Sequence, residues 1–250
     1  MAVCVVCRVR CRRAGEASST AVFHTVVMET LMRSRALVVG GTGGLGQAIT
    51  ARLVADGAQV VTVSRAAAEV PGAVGHVVGD VTVAADRDRM IDESAAILGG
   101  LDVVILASGV VGFSPAATQR SDDLAALIDA DLTGPLALLG LAAAAVDDGG
   151  AIVVITGAIV DGPIPGTSAY AAAKAGLSSA AKVVAREVRP RGITVIDARP
   201  PHTETGLASR AVFGEAPAFR EGAAPEAVAD RIVAAVLTSE RELPPAAFGS

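Results

Sequence analysis

The sequence predicts an α/β fold: one doubly wound parallel sheet of six or seven strands with helices on both faces. Three observations predict it. From Arg35 onward, short branched-aliphatic runs alternate with longer alanine-rich stretches, the pattern of repeated βα units. The composition is 52% hydrophobic but only 2% aromatic, with 27 glycines and no tryptophan, so the core is built mainly from Ala, Val, Leu and Ile. That mixture suits parallel strands buried on both faces. Finally, 250 residues suffice for one substantial core, and a single domain over residues 35–250 is expected.

The elements follow in order. Strands are read at ALVV (36–39), QVVTV (59–63), HVV (76–78), DVVIL (102–106), AIVVI (151–155) and ITVIDA (193–198). Helices are read over 45–56, 86–98, 122–146, 168–188 and 226–238. The short tail ELPPAAFGS leaves a seventh strand open. GPIPGT (162–167) and RPPHTETG (199–206) break the pattern after the fifth and sixth strands, whose carboxyl ends border the ligand crevice of such a sheet. A segment covering substrate is expected within 202–222, where Gly and Pro recur.

Charge and cysteine usage exclude several classes. The formal net charge is −5, and Arg8, Arg10, Arg12, Arg13, Arg33 and Arg35 concentrate positive charge in the opening segment. The acidic remainder carries no basic and aromatic footprint for nucleic acid. No apolar run approaches the roughly 20 residues of a membrane span. A cytoplasmic protein with no membrane partner is therefore expected. Cys4, Cys7 and Cys11 are the only cysteines and lack a nearby fourth ligand, so no metal site is expected. Met28 and Met32 precede the first strand, and residues 1–34 are read as a disordered extension or a mis-called start.

ALVVGGTGGLGQAI ends a strand, turns through glycines and opens a helix. Gly40, Gly44 and Gly46 permit a tight turn and close approach to a pyrophosphate, with the amides around Thr42 and Leu45 at the helix start. The arrangement suits a Rossmann-type dinucleotide site, and a plain glycine turn after a strand is the other reading. No G-x-x-x-x-G-K-[ST] pattern is present. The second strand ends in VTVSRAAA, without the acidic residue that accepts ribose hydroxyl bonds in NAD sites. Ser64 and Arg65 instead suit a 2′-phosphate, which favours NADP over NAD.

The only tyrosine, Tyr170, lies four residues before Lys174 in YAAAK. That spacing puts both on one helix face, where the ammonium is expected to favour the ionised phenol and lower its pKa from about 10. Tyr170 then suits proton transfer. On spacing alone, an ordinary helical tyrosine and lysine is the simpler reading.

Together, GGTGGLG, GDVT (79–82), ASG (107–109), YAAAK (170–174) and RPPHTET (199–205) resemble the short-chain dehydrogenase/reductase family across essentially all of residues 35–240. The resemblance implies that Asp80 and Val81 border the adenine, although Asp80 also reads as a turn or capping residue. It implies that Ser108 and Gly109 line the cofactor, and that Pro200, Thr203 and Thr205 approach its nicotinamide end. Tyr170 becomes the general acid/base, with Lys174 beside it on the nicotinamide ribose. The substrate is then a small carbonyl or alcohol compound, and the assembly a homodimer or homotetramer formed through the long helices.

Several positions depart from the family pattern. Gly157 falls where a serine usually polarises the substrate oxygen; Thr156 should project to the other side, and Thr167 or Ser168 could reach back only through a suitable loop. Asp131 occupies the usual asparagine position and is expected to pair with Lys174. Leu106 and Ala107 replace a pair of asparagines, and Pro201 replaces a glycine, removing an amide donor. Two readings follow: an NADP(H)-dependent reductase or dehydrogenase with Tyr170, Lys174 and Asp131 at its centre, or a catalytically weak cofactor-binding scaffold or regulatory protein.

Overall fold

The computed structural model describes residues 33–249. The cysteine segment, and nearly all of the expected extension, lie outside the described residues. Seven parallel strands form one sheet: β1 (Arg35–Val39), β2 (Gln59–Ser64), β3 (Gly75–Val78), β4 (Val103–Leu106), β5 (Ala151–Ile155), β6 (Thr194–Ala198) and β7 (Glu242–Leu243), in the order β3-β2-β1-β4-β5-β6-β7. The seventh strand left open in the sequence is formed, as a two-residue pairing of Glu242 and Leu243 with Asp197 and Ala198.

The helices are α1 (Gly44–Ala55), α2 (Ala84–Leu98), α3 (Ser121–Ile128), α4 (Gly134–Ala145), α5 (Ser168–Glu187) and α6 (Pro225–Thr238). Alternate side chains of each strand serve opposite cores. Leu37, Val39, Val61, Val63, Val104 and Leu106 pack with Met90 of α2, Leu138 of α4 and Leu177 of α5. Ala36, Val38, Val60, Ile105 and Ile196 pack with Ile49 of α1 and with Ile232 and Val233 of α6. The strands therefore read as unbroken apolar runs because both faces are covered.

One expected element differs. The helix read over 122–146 carries a π-helical segment, Asp129–Thr133, between α3 and α4. The segment buries Asp131 beneath the cleft, a placement typical of π-turns at functional sites. This rod, Ser121–Ala145, is also long and apolar enough by length and composition to cross a membrane, which corrects the expectation that no run approaches that length. Here it packs against α2, α5 and the β4 and β5 strands.

The order reverses between β1 and β4, opening a crevice at their carboxyl ends. Behind it, a buried carboxylate ties three elements together. Asp197 on β6 accepts bonds from Thr156 Oγ1 at 2.5 Å and from Ser178 Oγ of α5 at 2.6 Å. This joins the helix carrying Tyr170 to the end of β5.

Candidate functional site

A cavity of about 350 Å³ opens over the carboxyl ends of β1, β4, β5 and β6. One end is lined by Gly43, Gly44, Leu45 and Gly46, the floor by Ala107, Ser108 and Gly109, and the other end by Gly157, Tyr170 and Lys174.

The phosphate end is shaped by the absence of side chains. Gly40 has φ +86°, and a Cβ there would lie 2.7 Å from Ser108 N. A Cβ on Gly46 would strike the carbonyl oxygen of Gly40, so the helix start packs directly onto the turn. No side chain caps α1 at Gly43 and no acidic residue occupies its first turn, leaving its leading amides directed at the cleft. Thr42 contributes its carbonyl to Gln47 Nε2.

At the end of β2, Ser64 Oγ already donates to the Ala66 carbonyl at 2.7 Å and lies 3.1 Å from His76 Nε2. Arg65 is exposed, with no hydrogen bond or ion pair among the described residues. Of this pair, only Arg65 is thus free to meet a ligand with its charge. Asp80 makes a turn of its own, accepting from Thr82 N at 2.8 Å and Thr82 Oγ1 at 2.7 Å, as its blander reading implied. The Val81 carbonyl accepts from Arg87, and its side chain packs on the core beside α2.

The other end gathers Tyr170, Lys174 and Asp131. Lys174 is 4% exposed; its Nζ lies 3.8 Å from Asp131 Oδ1, 3.4 Å from the Ile155 carbonyl and 5.7 Å from the Tyr170 ring centre. Asp131 Oδ1 also accepts the Val110 amide at 2.8 Å, while Oδ2 is buried with no partner. Burial raises the Asp131 carboxyl above the usual range against the pull of Lys174. Gly109 leaves room for this group, since a Cβ there would stand 3.0 Å from Asp131 Oδ1 and 3.1 Å from Lys174 Nζ.

Tyr170 behaves opposite to the expectation from spacing. Its ring is half-buried and its hydroxyl has no hydrogen-bond partner among the described residues. Desolvation by the cavity walls, and then the Asp131 charge, push the phenol above its ordinary value instead of lowering it. Asp131 sets its own charge against the ammonium, so the pair does not act as a bare cation.

The three hydroxyls expected nearest to Gly157 are committed elsewhere. Thr156 turns away to Asp197, Thr167 Oγ1 donates to the Ile164 carbonyl at 2.6 Å, and Ser168 Oγ points to Gln119 at 3.3 Å. Gly157 itself has φ +85° and ψ 161°, a conformation open essentially to glycine alone. Ser108 Oγ is buried beneath the cavity without a partner.

The segment after β6 closes one side. Pro200 accepts the Ala158 amide at 2.8 Å, Thr203 Oγ1 donates to the Pro201 carbonyl at 2.8 Å, and Thr205 abuts the glycine loop, its Cα 2.9 Å from a Cβ built on Gly44. His202 stacks on Phe219 with ring centres 4.6 Å apart. Val111, Phe113, Ile159, Leu207 and Phe219 make this half apolar. Sequence reasoning missed Val111, Phe113 and Phe219 because no motif marks them. It also missed Arg210, whose charge within the expected covering segment was a usable signal.

An uncapped helix start behind a glycine cradle, an orphaned Ser108 hydroxyl and an unpaired Arg65 fit a dinucleotide. Residues 34–214 match the short chain dehydrogenase family. The chain belongs to the short-chain dehydrogenase/reductase family. With membership comes NAD(P)-dependent interconversion of carbonyl and alcohol groups. The chain is 32% identical over 173 residues to the cyclic-di-GMP-binding biofilm dispersal mediator protein of Escherichia coli, covering 68% of this chain and 73% of that protein. It is 30% identical over 207 residues to the 3-oxoacyl-(acyl-carrier-protein) reductase FabG of Salmonella typhimurium, covering 76% and 85%. A Burkholderia cenocepacia short chain dehydrogenase solved in complex with NADP superposes with a TM-score of 0.74 at 27% identity, covering 86% of this chain and 98% of that one. Among short-chain dehydrogenases, this one keeps the tyrosine and lysine of YAAAK in one cavity with the glycine loop.

Proposed function

We propose that the protein is an NADP(H)-dependent reductase or dehydrogenase acting on a small, largely apolar carbonyl or alcohol compound. The observation that carries this reading is the unpartnered Tyr170 hydroxyl, facing the same cavity as the glycine loop and backed by Lys174. Gly40, Thr42, Gly44, Leu45 and Gly46 would hold the diphosphate, Arg65 the 2′-phosphate, and Asp80 and Val81 the adenine. Ser108 and Gly109 would line the ribose, and Pro200, Thr203 and Thr205 the nicotinamide end. When bound, NADP(H) supplies or accepts the hydride.

Tyr170 holds the proton at its phenol oxygen, passing it to the substrate oxygen in reduction and taking it back in oxidation. Burial and the Asp131 charge push the phenol above its ordinary value, so release of its proton depends on the field of Lys174. Lys174, anchored on Ile155 and Asp131, supplies the positive field and a donor for the ribose. Val111, Phe113, Ile159 and Leu207 exclude water from the substrate's body. Exposed Leu124, Leu136 and Val183 on the helices of this face support a homodimer or homotetramer, and the acidic surface a cytoplasmic protein.

A second reading is a cofactor-binding regulatory protein with weak turnover. The absence of a side-chain donor at Gly157 favours it, and so does the relative named for cyclic-di-GMP binding. Titration with NADPH and NADH, then turnover on a carbonyl panel for the parent and Tyr170→Phe, separates the two. The reductase reading expects a loss of about 10²–10⁴-fold in kcat for Tyr170→Phe. Tight NADPH binding with no turnover on any carbonyl selects the regulatory reading.

A further inference from the structure

We propose that Arg210 clamps the cofactor's diphosphate from the side of the cleft opposite the glycine loop. The proposal rests on the NAD(P) reading above and adds a binding residue that the family motifs do not contain. Arg210 ends a short turn, Ala208–Arg210, and lines the same cavity as Gly43, Gly44 and Leu45. Its Nη2 donates to the Thr205 carbonyl at 3.3 Å, and its Nη1 would lie 3.2 Å from a Cβ on Gly206, itself at φ +70°. Thr205 in turn packs on Gly44, so the guanidinium is tethered to a residue in contact with the phosphate loop.

Charge selects the ligand. Arg210 has no carboxylate partner among the described residues, and the first turn of α1 carries no acidic side chain to neutralise it. Lys174, the other cation on the cavity wall, is occupied by Asp131 and the Ile155 carbonyl. Two donor sets therefore face one space, the leading amides of α1 and a planar guanidinium, and a diphosphate has enough oxygens to engage both. The 2′-phosphate belongs at the end of β2 beside Arg65, on the far side of β1 from the Thr205 turn. A substrate anion is the competing ligand, because Leu207 and Ala208 of the same turn line the apolar half.

Binding to the full chain without substrate, measured by calorimetry, tests the assignment. The probes are NADPH, ADP-ribose, which has the diphosphate without the 2′-phosphate, and adenosine 2′-monophosphate, which has the reverse. Arg210→Ala should weaken NADPH and ADP-ribose by about tenfold or more and leave adenosine 2′-monophosphate unchanged. Arg210→Lys should recover part of the loss, and Arg65→Ala should show the opposite selectivity. Unchanged NADPH and ADP-ribose binding in Arg210→Ala overturns the clamp, and an altered substrate KM alone would reassign Arg210 to the substrate. Equal weakening of all three probes also overturns it. If the parent binds no NADPH while its thermal melt shows a folded chain, the cofactor reading itself fails and the clamp falls with it.

Discussion

Asp131 Oδ1 stands 3.8 Å from Lys174 Nζ at the bottom of the cleft, and its second oxygen, Oδ2, is buried without a partner. The carboxylate changes the field at Tyr170. Removing its charge removes one of the two causes that raise the phenol's pKa. Asp131→Asn is therefore expected to move the alkaline midpoint of kcat/KM for alcohol oxidation to lower pH. A pH profile of both proteins checks it; an unmoved midpoint shows that Asp131 does not act on Tyr170.

The same residue gives a pH-dependent stability with a definite sign. The folded carboxyl is raised above its unfolded value of about 3.9, so the folded state binds more protons across the window between the two. The stability contributed by Asp131 is present below about pH 3.9 and is lost as pH rises through the folded value. In denaturant titrations from acid to neutral pH, the parent should lose ground steadily against Asp131→Asn. A difference constant with pH would contradict this.

Gly157→Ser places a hydroxyl on a backbone that resists it. A Cβ at this position has space, its nearest contact being the Pro200 carbonyl oxygen at 4.0 Å, but the backbone conformation is one that L-residues avoid. The substitution should cost about 1–3 kcal/mol of stability. The strain also displaces the new hydroxyl, so the gain in kcat/KM should stay below about tenfold. Thermal melts and turnover on one substrate measure both; a rate gain of 10²-fold, the size associated with an oxyanion donor, would show that the loop relaxes and that the donor was limiting.

Arg65 is the free cation at the end of β2. Arg65→Ala should weaken NADPH by about 10–100-fold, a charge-assisted hydrogen-bond effect, while NADH changes by less than about threefold. Fluorescence titration of both nucleotides decides it. Equal effects on the two would place Arg65 away from the 2′-phosphate.

Much of this molecule is written in local sequence. Period and punctuation are enough to place six strands and the helix starts, because buried parallel strands need continuous branched-aliphatic runs and their ends need Gly or Pro. GGTGGLG and YAAAK carry their geometry within a turn or two, so Gly44 and Gly46 at the cleft, and Tyr170 with Lys174 on one face, follow from spacing alone. What tertiary structure decided are the properties that depend on distant neighbours. The upward shift of Tyr170 under burial and the Asp131 charge, the commitment of Thr156 to Asp197, and the approach of Thr205 to the phosphate loop all arise between segments far apart in the chain. Desolvation and partner geometry act through space, and spacing along the chain carries no record of them.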